Sequence, residues 1–230
     1  LKGKDKLYGY NLLLVNGKLI VRERSGGPHD NLSRHMVMLF GNYNGPEAVL
    51  TPGGSTRLQY GANSSLEPDE CFFNRHIPLN NVITDVHGEE LPSIVIEINS
   101  SESYASADET AQVYLNNPAT RVVISIKLVI SRSQDPQIRG KITQMYFILY
   151  SRRDRQPGAN RVNPIRVDSF GASAETSSMD AIVQHTQVNP DNFTGVGRTP
   201  GLQNDTANAP PFQVIIDAQD IWHNVPNAAA

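Results

Sequence analysis

The chain of 230 residues is 39% hydrophobic and 19% charged, a composition that fits one globular domain with a well-buried core and favours neither a disordered nor a membrane protein. A formal net charge of −3 and an isoelectric point near 6.1 argue against a chain built as a nonspecific polycation for nucleic acid, and leave room for local basic patches. The single cysteine, Cys71, excludes an intramolecular disulfide and a zinc site of several thiolates. Neither a signal-like stretch nor a run of 18 apolar residues is present, so we expect an intracellular protein of the cytoplasm or nucleus.

The first predicted element is a reversal of the chain at Asn16-Gly17. Apolar runs lie on both sides of this dipeptide, which is the strongest short signal for a hairpin-type turn. Two more short strands are predicted at residues 48–51 and 56–60, joined by a hairpin turn at Pro52-Gly53-Gly54. The glycine pair lacks the Gly-Lys-Ser/Thr ending of a phosphate-binding loop, so we interpret it only as a turn.

A helix is predicted between these two turns, from His29 to about Asn42. Four apolar residues recur there at helical spacing: Leu32, Met36, Leu39 and Phe40. His29 and His35 are candidate phosphate or metal contacts. A lone histidine near a helix start is more often a capping or surface residue, and that is our expectation for both.

Two acidic residues stand at the edge of, or within, apolar strands. Asp69 follows Pro68, which cannot sit within a central strand, and opens the run Cys71-Phe72-Phe73. Glu97 lies inside Ile94–Ile98, a β-branched run that predicts a central strand covered on both faces. A carboxylate there loses hydration unless it is paired, hydrogen-bonded or bound to a metal. Simpler interpretations stay open: a turn residue for Asp69, and a solvated strand mouth or an arginine partner for Glu97.

The segment after Glu97 predicts a helix and two strands. Ser106-x-x-Glu109 is a capping box that begins the helix. Strands follow at residues 122–128 and 142–150 as an antiparallel pair. Lys127 lies in the first of them, where it either faces the acids or is a solvated strand end. One face of the helix is predicted to pack on the core: Ala107, Ala111, Tyr114 and Leu115.

Positive charge concentrates between residues 132 and 166, where eight basic residues face two acidic ones, a local charge of plus six. A charged, solvated sheet edge and contact with a phosphate backbone both explain it. Residues 156–211, rich in Gly, Pro, Asn and Ser, predict long loops or partial disorder, and Phe212–Asp217 predicts a last strand returning to the core. The basic residues are Arg132, Arg139, Lys141, Arg152, Arg153, Arg155, Arg161 and Arg166.

The order of these features resembles the PD-(D/E)XK nuclease superfamily, and within it the Uma-type family of restriction endonuclease-like proteins. The family pattern is a Pro-Asp strand followed by a Val-Glu-Val-x-Ser-x-Ser strand, to which Pro68-Asp69 and the Glu97 strand with its Ser-rich end are similar. Residues 16–20 look like its x-Gly-Glu-Leu hairpin, and His29-x-x-Leu32-x-x-x-Met36 looks like its His-x-x-Ile-x-x-x-Leu helix. The resemblance covers about residues 10–150. It implies an α/β, restriction-endonuclease-like core whose mixed central sheet is flanked by the two helices.

By the same resemblance, Asp69 and Glu97 would hold Mg²⁺ or Mn²⁺ for cleavage of DNA. The family usually has a Glu four residues before the hairpin glycine and a catalytic Lys at one of two positions; here these are Leu13, Asn99 and Thr110. Asn99 can hydrogen-bond a water but cannot offset the negative charge that develops on phosphorus. Lys127 is a conceivable replacement, so the candidate catalytic set is Asp69, Glu97, Asn99 and Lys127.

Two hypotheses follow for the function. The first is a metal-dependent endonuclease acting on DNA, and the alternative is a noncatalytic nucleic-acid or protein-binding module of the same fold. The predicted organisation is a core over residues 1–155, a loop-rich insertion over 156–211, and a C-terminal strand and tail over 212–230. The oligomeric state is open, with a homodimer among the options.

Overall fold

The computed structural model describes residues 10–15, 18–23, 27–42, 50–59, 65–75, 77, 81–152, 159–171, 198–203 and 213–217. The elements of the N-terminal half are β1 (Tyr10–Val15), β2 (Lys18–Glu23), α1 (Gly27–Asn42), β3 (Leu50–Pro52), β4 (Leu58–Gln59), β5 (Ser65–Leu66), β6 (Glu70–Asn74) and β7 (Ile94–Asn99). They are followed by α2 (Tyr104–Asn116), β8 (Val122–Ile130), β9 (Ile142–Ser151), β10 (Pro164–Gly171), β11 (Arg198–Gln203) and β12 (Gln213–Asp217).

A six-stranded mixed sheet in the order β10-β9-β8-β7-β6-β3 forms the centre of the protein. Strands β7 and β8 are parallel, and every other neighbouring pair in this sheet is antiparallel. Parallel neighbours need a crossover connection, and α2 lies in the one that joins β7 to β8. The predicted α/β fold with a mixed central sheet is confirmed.

The alternation of side chains along β7 divides the core into two layers. Ile94, Ile96 and Ile98 pack with the buried residues of α1, whereas Val95 packs with those of α2. The helices therefore cover opposite faces of the sheet. Because successive strand residues point to opposite faces, Glu97 and Asn99 belong to the α2 face.

A second, four-stranded sheet in the order β2-β1-β5-β4 contains the N-terminal hairpin. Val15 pairs with Lys18 in the antiparallel β1–β2 ladder, so the predicted reversal lies between these two residues. Strand β5 of this sheet leads into β6 of the central sheet through the short link Glu67-Pro68-Asp69. Asp69 thus lies where the chain leaves one sheet and enters the other.

The hairpin predicted around Pro52-Gly53-Gly54 is wrong, because its two strands enter different sheets. β3 pairs with β6 and β4 pairs with β5. The Gly53 amide donates to the carbonyl of Cys71 at 2.8 Å, and a Cβ on Gly53 would lie 2.3 Å from the ring of Phe73. Gly53 therefore allows a close approach to β6 rather than a reversal of the chain.

The helix predicted from Ser106 begins earlier. Ser103 is the N-cap of α2, and its hydroxyl accepts a hydrogen bond from the Ser106 amide at 3.2 Å. The capping-box assignment of Ser106 and Glu109 was wrong, since Ser106 provides the amide rather than the cap. The predicted packed face is confirmed, because Ala107, Ala111, Tyr114 and Leu115 are all buried.

The expectation of loops throughout residues 156–211 was also wrong in part. Pro164–Gly171 form β10, which pairs with β9 at the edge of the central sheet. Its proline stands at the strand start, a position an edge strand accepts. The predicted final strand exists as β12 and pairs with β11 in a two-stranded sheet. Its return to the core, and the boundaries 1–155, 156–211 and 212–230, stay predictions.

Among the residues described, no helix is both long and apolar enough to cross a membrane. The predicted intracellular location stays a prediction.

The N-cap assignment can be tested by paired substitutions. We expect Ser103→Ala to lower the free energy of unfolding by about 1 kcal/mol, because an α2 backbone amide loses its acceptor. Ser106→Ala should change it by no more than about 0.5 kcal/mol. Urea denaturation of both variants measures this difference, and a larger loss in Ser106→Ala would restore the capping box.

Candidate metal centre

Asp69 lies just before β6 and connects this point to β7, the strand that carries Glu97. Glu70 pairs with Ile96 across β6 and β7, so Asp69 lies one residue before this rung. Its Oδ2 accepts a hydrogen bond from the Ile98 amide at 2.6 Å. The carboxylate of Asp69 is therefore fixed at the backbone of the residue that follows Glu97. Asp69 does lie in a bend directly before β6, as the simpler interpretation had it, but its carboxylate is also hydrogen-bonded to β7.

His29, at the start of α1, is the second partner of Asp69. Its Nε2 lies 2.8 Å from Asp69 Oδ1, and its side chain is only 13% exposed. Burial lowers the pKa of His29, but the hydrogen bond and charge of Asp69, with help from Asp30, outweigh it and raise the pKa above its ordinary value. The expectation of a capping or surface histidine was wrong, because α1 packs its first turn against the Pro68-Asp69 bend.

Ser33, one turn after His29, also contacts the segment around Asp69, so two residues of α1 pack against it. Its hydroxyl lies 3.2 Å from Oε2 of Glu70 and 3.4 Å from the carbonyl oxygen of Asp69. Residues four apart lie on one face of a helix, so His29 and Ser33 contact neighbouring residues of the strand. Burial raises the pKa of Glu70, and the hydrogen bond from Ser33 opposes this.

Glu97 is 3% exposed and lies on the α2 face of β7. The hydroxyl of Tyr114 in α2 donates to Glu97 Oε1 at 2.5 Å. This bond is charge-assisted when the carboxylate is ionised, and it offsets part of the hydration lost on burial. The hydrogen-bonding partner that the sequence predicts for Glu97 is thus the phenol of Tyr114. The solvated strand mouth proposed as the simpler interpretation is excluded.

Asn99 and Lys127 lie on the same face as Glu97. The two residues are paired in the parallel β7–β8 ladder, and the Asn99 amide nitrogen lies 3.3 Å from the Ser125 hydroxyl. The Lys127 ammonium donates to the Ser100 carbonyl at 2.9 Å. Within the described chain it forms no ion pair with Asp69 or Glu97. Burial lowers the pKa of Lys127; Arg132 acts in the same direction and Glu102 in the opposite one.

The strand register also divides the basic residues predicted to act together. Ile130 pairs with Ile142 at one end of the β8–β9 ladder, and Val122 pairs with Ser151 at the other. Arg132, Arg139 and Lys141 therefore lie at the end where β7 finishes with Asn99, whereas Arg152 lies at the far end. At about 3.3 Å per residue, the two ends of β8 are about 26 Å apart. The basic residues that the structure describes in this region therefore do not form one surface.

The oxygen donors of this centre suit a hard divalent cation. Mg²⁺ and Mn²⁺ are commonly held by one or two carboxylates together with waters or substrate phosphates. Asp69, just before β6, and Glu97, in the neighbouring strand β7, offer two carboxylates. In the part of the chain that the structure describes, no three His, Cys, Asp or Glu residues are grouped to hold an ion.

An α/β core with two acids at adjacent strand ends is the arrangement expected for the PD-(D/E)XK class. The sequence profile of the Uma2 family, described as "putative restriction endonuclease", matches residues 6–137, which is more than half of the chain. The chain belongs to this family, and the predicted resemblance is confirmed. A crystal structure of a "putative nuclease" from Anabaena variabilis is 16% identical, with 71% of this chain and 78% of that chain covered and a TM-score of 0.45. Curated proteins gave no match.

The contact of His29 with Asp69 predicts a specific pH dependence of stability in metal-free buffer. A folded-state pKa above the ordinary value of 6.5 means that the stabilisation is fully present below pH 6.5 and is lost as pH rises through the raised pKa. We expect the stability difference between wild type and His29→Gln to shrink across that interval. Urea denaturation at several pH values measures it, with exposed His87→Gln as control. A difference independent of pH would contradict the prediction.

Proposed function

We propose that this chain is a metal-dependent nuclease of the PD-(D/E)XK type, with DNA as its substrate and Asp69 and Glu97 as the ligands of Mg²⁺ or Mn²⁺. The observation that carries the proposal is the hydrogen bond from the Ile98 amide to Asp69 at 2.6 Å. It fixes one acid at the strand position next to the other. Membership of the Uma2 family supports the same reaction class.

His29 and Tyr114 are proposed to position the two carboxylates and not to take over their role as metal ligands. His29 holds Asp69 from the α1 side, and Tyr114 holds Glu97 from the α2 side. Both carboxylates are thus held by hydrogen bonds that limit their rotation, which favours a preorganised site. When bound, the metal would polarise the phosphoryl oxygen and lower the pKa of an attacking water.

Lys127 is the proposed source of positive charge, because Asn99 and Thr110 occupy the usual lysine positions. It lies beside Asn99 on the Glu97 face, and its lowered pKa accompanies partial burial. An ammonium bound to the Ser100 carbonyl is held at the end of β7, where a phosphate would approach the acids. Asn99 is proposed to orient a water.

Metal binding tests the first part of this proposal. In calorimetric titration with Mn²⁺, wild type should bind with measurable heat, and Asp69→Asn and Glu97→Gln should each lose it because an amide is a much weaker ligand than a carboxylate. Exposed Glu89→Gln has the same charge change and should retain the heat. Identical heats in wild type and Asp69→Asn would reject the site.

Cleavage requires a separate assay. Supercoiled plasmid with Mg²⁺ or Mn²⁺ should be nicked by wild type at a rate above that of Asp69→Asn and Glu97→Gln. Binding of plasmid without cleavage above these controls would instead establish the alternative, a noncatalytic module. The specific observation in favour of that alternative is the engagement of the Lys127 ammonium by Ser100 rather than by the acids.

The variant Lys127→Met tests whether Lys127 has taken over the role of the family's catalytic lysine or whether that role is absent from this chain. Methionine keeps much of the alkyl packing and removes the charge, so we expect cleavage to disappear while the Mn²⁺ heat is retained. Loss of one hydrogen bond should lower the free energy of unfolding by about 1 kcal/mol, which leaves the protein folded. Plasmid nicking at wild-type rate in Lys127→Met would exclude a catalytic role.

A further inference from the structure

We propose that the β8–β9 turn (residues 131–141) is the surface that contacts the phosphate backbone of a nucleic acid, through Arg132, Arg139 and Lys141. The inference rests on the proposed function for the identity of the substrate. It goes further by assigning binding to one turn and by excluding most of the other basic residues.

The topology places this turn at the same end of the sheet as the metal centre. Asn99 of β7 pairs with Lys127 of β8, and β8 continues for three residues beyond Lys127 before the turn begins. This is about 10 Å along the strand. Arg132 lies close enough to Lys127 for its charge to act on the ammonium. A nucleic-acid strand that reaches the acids could therefore continue over the turn.

The turn is held in one conformation by its own hydrogen bonds. The Ser131 amide donates to the Lys141 carbonyl at 2.9 Å, and the Gly140 amide donates to the Ser131 carbonyl at 3.0 Å. Gly140 has a φ of 75°, which a glycine adopts without strain. Asp135 Oδ1 accepts from the Gln137 amide at 2.9 Å. A preformed backbone presents its side chains at a lower ordering cost on binding.

The three basic side chains of the turn are exposed and, among the described residues, form no ion pair with a carboxylate. The other described basic residues of the 132–166 region are already engaged. Arg152 donates to the Asn117 carbonyl, Arg161 to Asp108 and Arg166 to Asp168. Among the described basic residues of the 132–166 region, the three turn residues therefore offer positive charge that needs no internal partner to be displaced.

A phosphate backbone is the ligand favoured by this arrangement. Lys127 and Arg132 carry like charges that act on each other beside the proposed site, while Glu102 acts on Lys127 in the opposite direction. A polyanion lying across the two cations would add to their neutralisation. Contacts of this kind carry no sequence information, so the turn should bind different sequences equally. An acidic protein is the competing partner, and the experiment below includes it.

The test is fluorescence anisotropy of labelled duplex and single-stranded oligonucleotides, and of labelled polyglutamate as a probe for an acidic protein. It uses the 230-residue chain in EDTA, over about 50 to 200 mM salt. The variants are Arg132→Ala, Arg139→Ala and Lys141→Ala, singly and together. Arg121→Ala is the matched control, since it removes one exposed charge at the opposite end of β8. Arg139→Lys keeps the charge and should retain binding, which separates charge from folding.

Each turn variant should reduce the slope of log affinity against log salt by about 0.9 on duplex or about 0.7 on single strands, equally for different sequences. The triple variant should lose binding by roughly tenfold or more at the lowest salt, whereas Arg121→Ala should bind as wild type does. Equal losses in Arg121→Ala, or no binding by wild type, would overturn the inference. If the turn variants lose binding to polyglutamate but not to oligonucleotides, the turn binds an acidic protein, and this result would also overturn the inference.

Because EDTA removes any metal, this result is independent of the Mn²⁺ titration. A chain that binds Mn²⁺ normally but shows no effect of the turn variants refutes only the binding surface. A chain that shows the turn effect but no Mn²⁺ heat refutes only the metal centre.

Discussion

The carboxylate of Asp69 is the point on which the arrangement of this site depends. Through Oδ2 it binds the Ile98 amide of the central strand, and through Oδ1 it contacts His29 of α1. The Asp69 side chain therefore connects the start of β6 to β7, which carries Glu97, and to α1, which covers the sheet face opposite α2. Removing it would leave a buried amide and a largely buried histidine without their acceptor, at a cost of about 1–3 kcal/mol for each group.

The two acids are held by helices on opposite faces of one sheet. α1 contacts Asp69 and α2 contacts Glu97, so the relative position of the carboxylates follows from the packing of both helices. Positions in a close-packed core shift little without cost. Because the helices lie on opposite faces, neither helix alone defines the site. Each contributes a residue, His29 or Tyr114, that no metal-binding motif in the sequence identifies.

Much of this arrangement could be predicted from local sequence. The β-branched run around Glu97 predicts a buried central strand, and Pro68 predicts where the preceding strand begins. The His29 contact was not predictable, because helical periodicity says which face of α1 is buried but not which strand residue meets its first turn. The paired strands predicted around Gly53 failed for a similar reason: partners in a sheet are chosen by tertiary packing, here the fit of Gly53 against Phe73 and Cys71.

The link Glu67-Pro68-Asp69 between the two sheets has a consequence for how the first acid is aimed. In a regular strand, pleating dictates the face to which each side chain points, as it does for Glu97. Asp69 precedes β6 and belongs to no ladder, so its carboxylate is free of that rule and reaches a backbone amide at the strand end. Pro68 has no amide to donate, so the residue before Asp69 cannot extend the hydrogen-bond ladder of β6. An uncharged neighbour thus helps to keep the first acid outside the regular alternation of the strand.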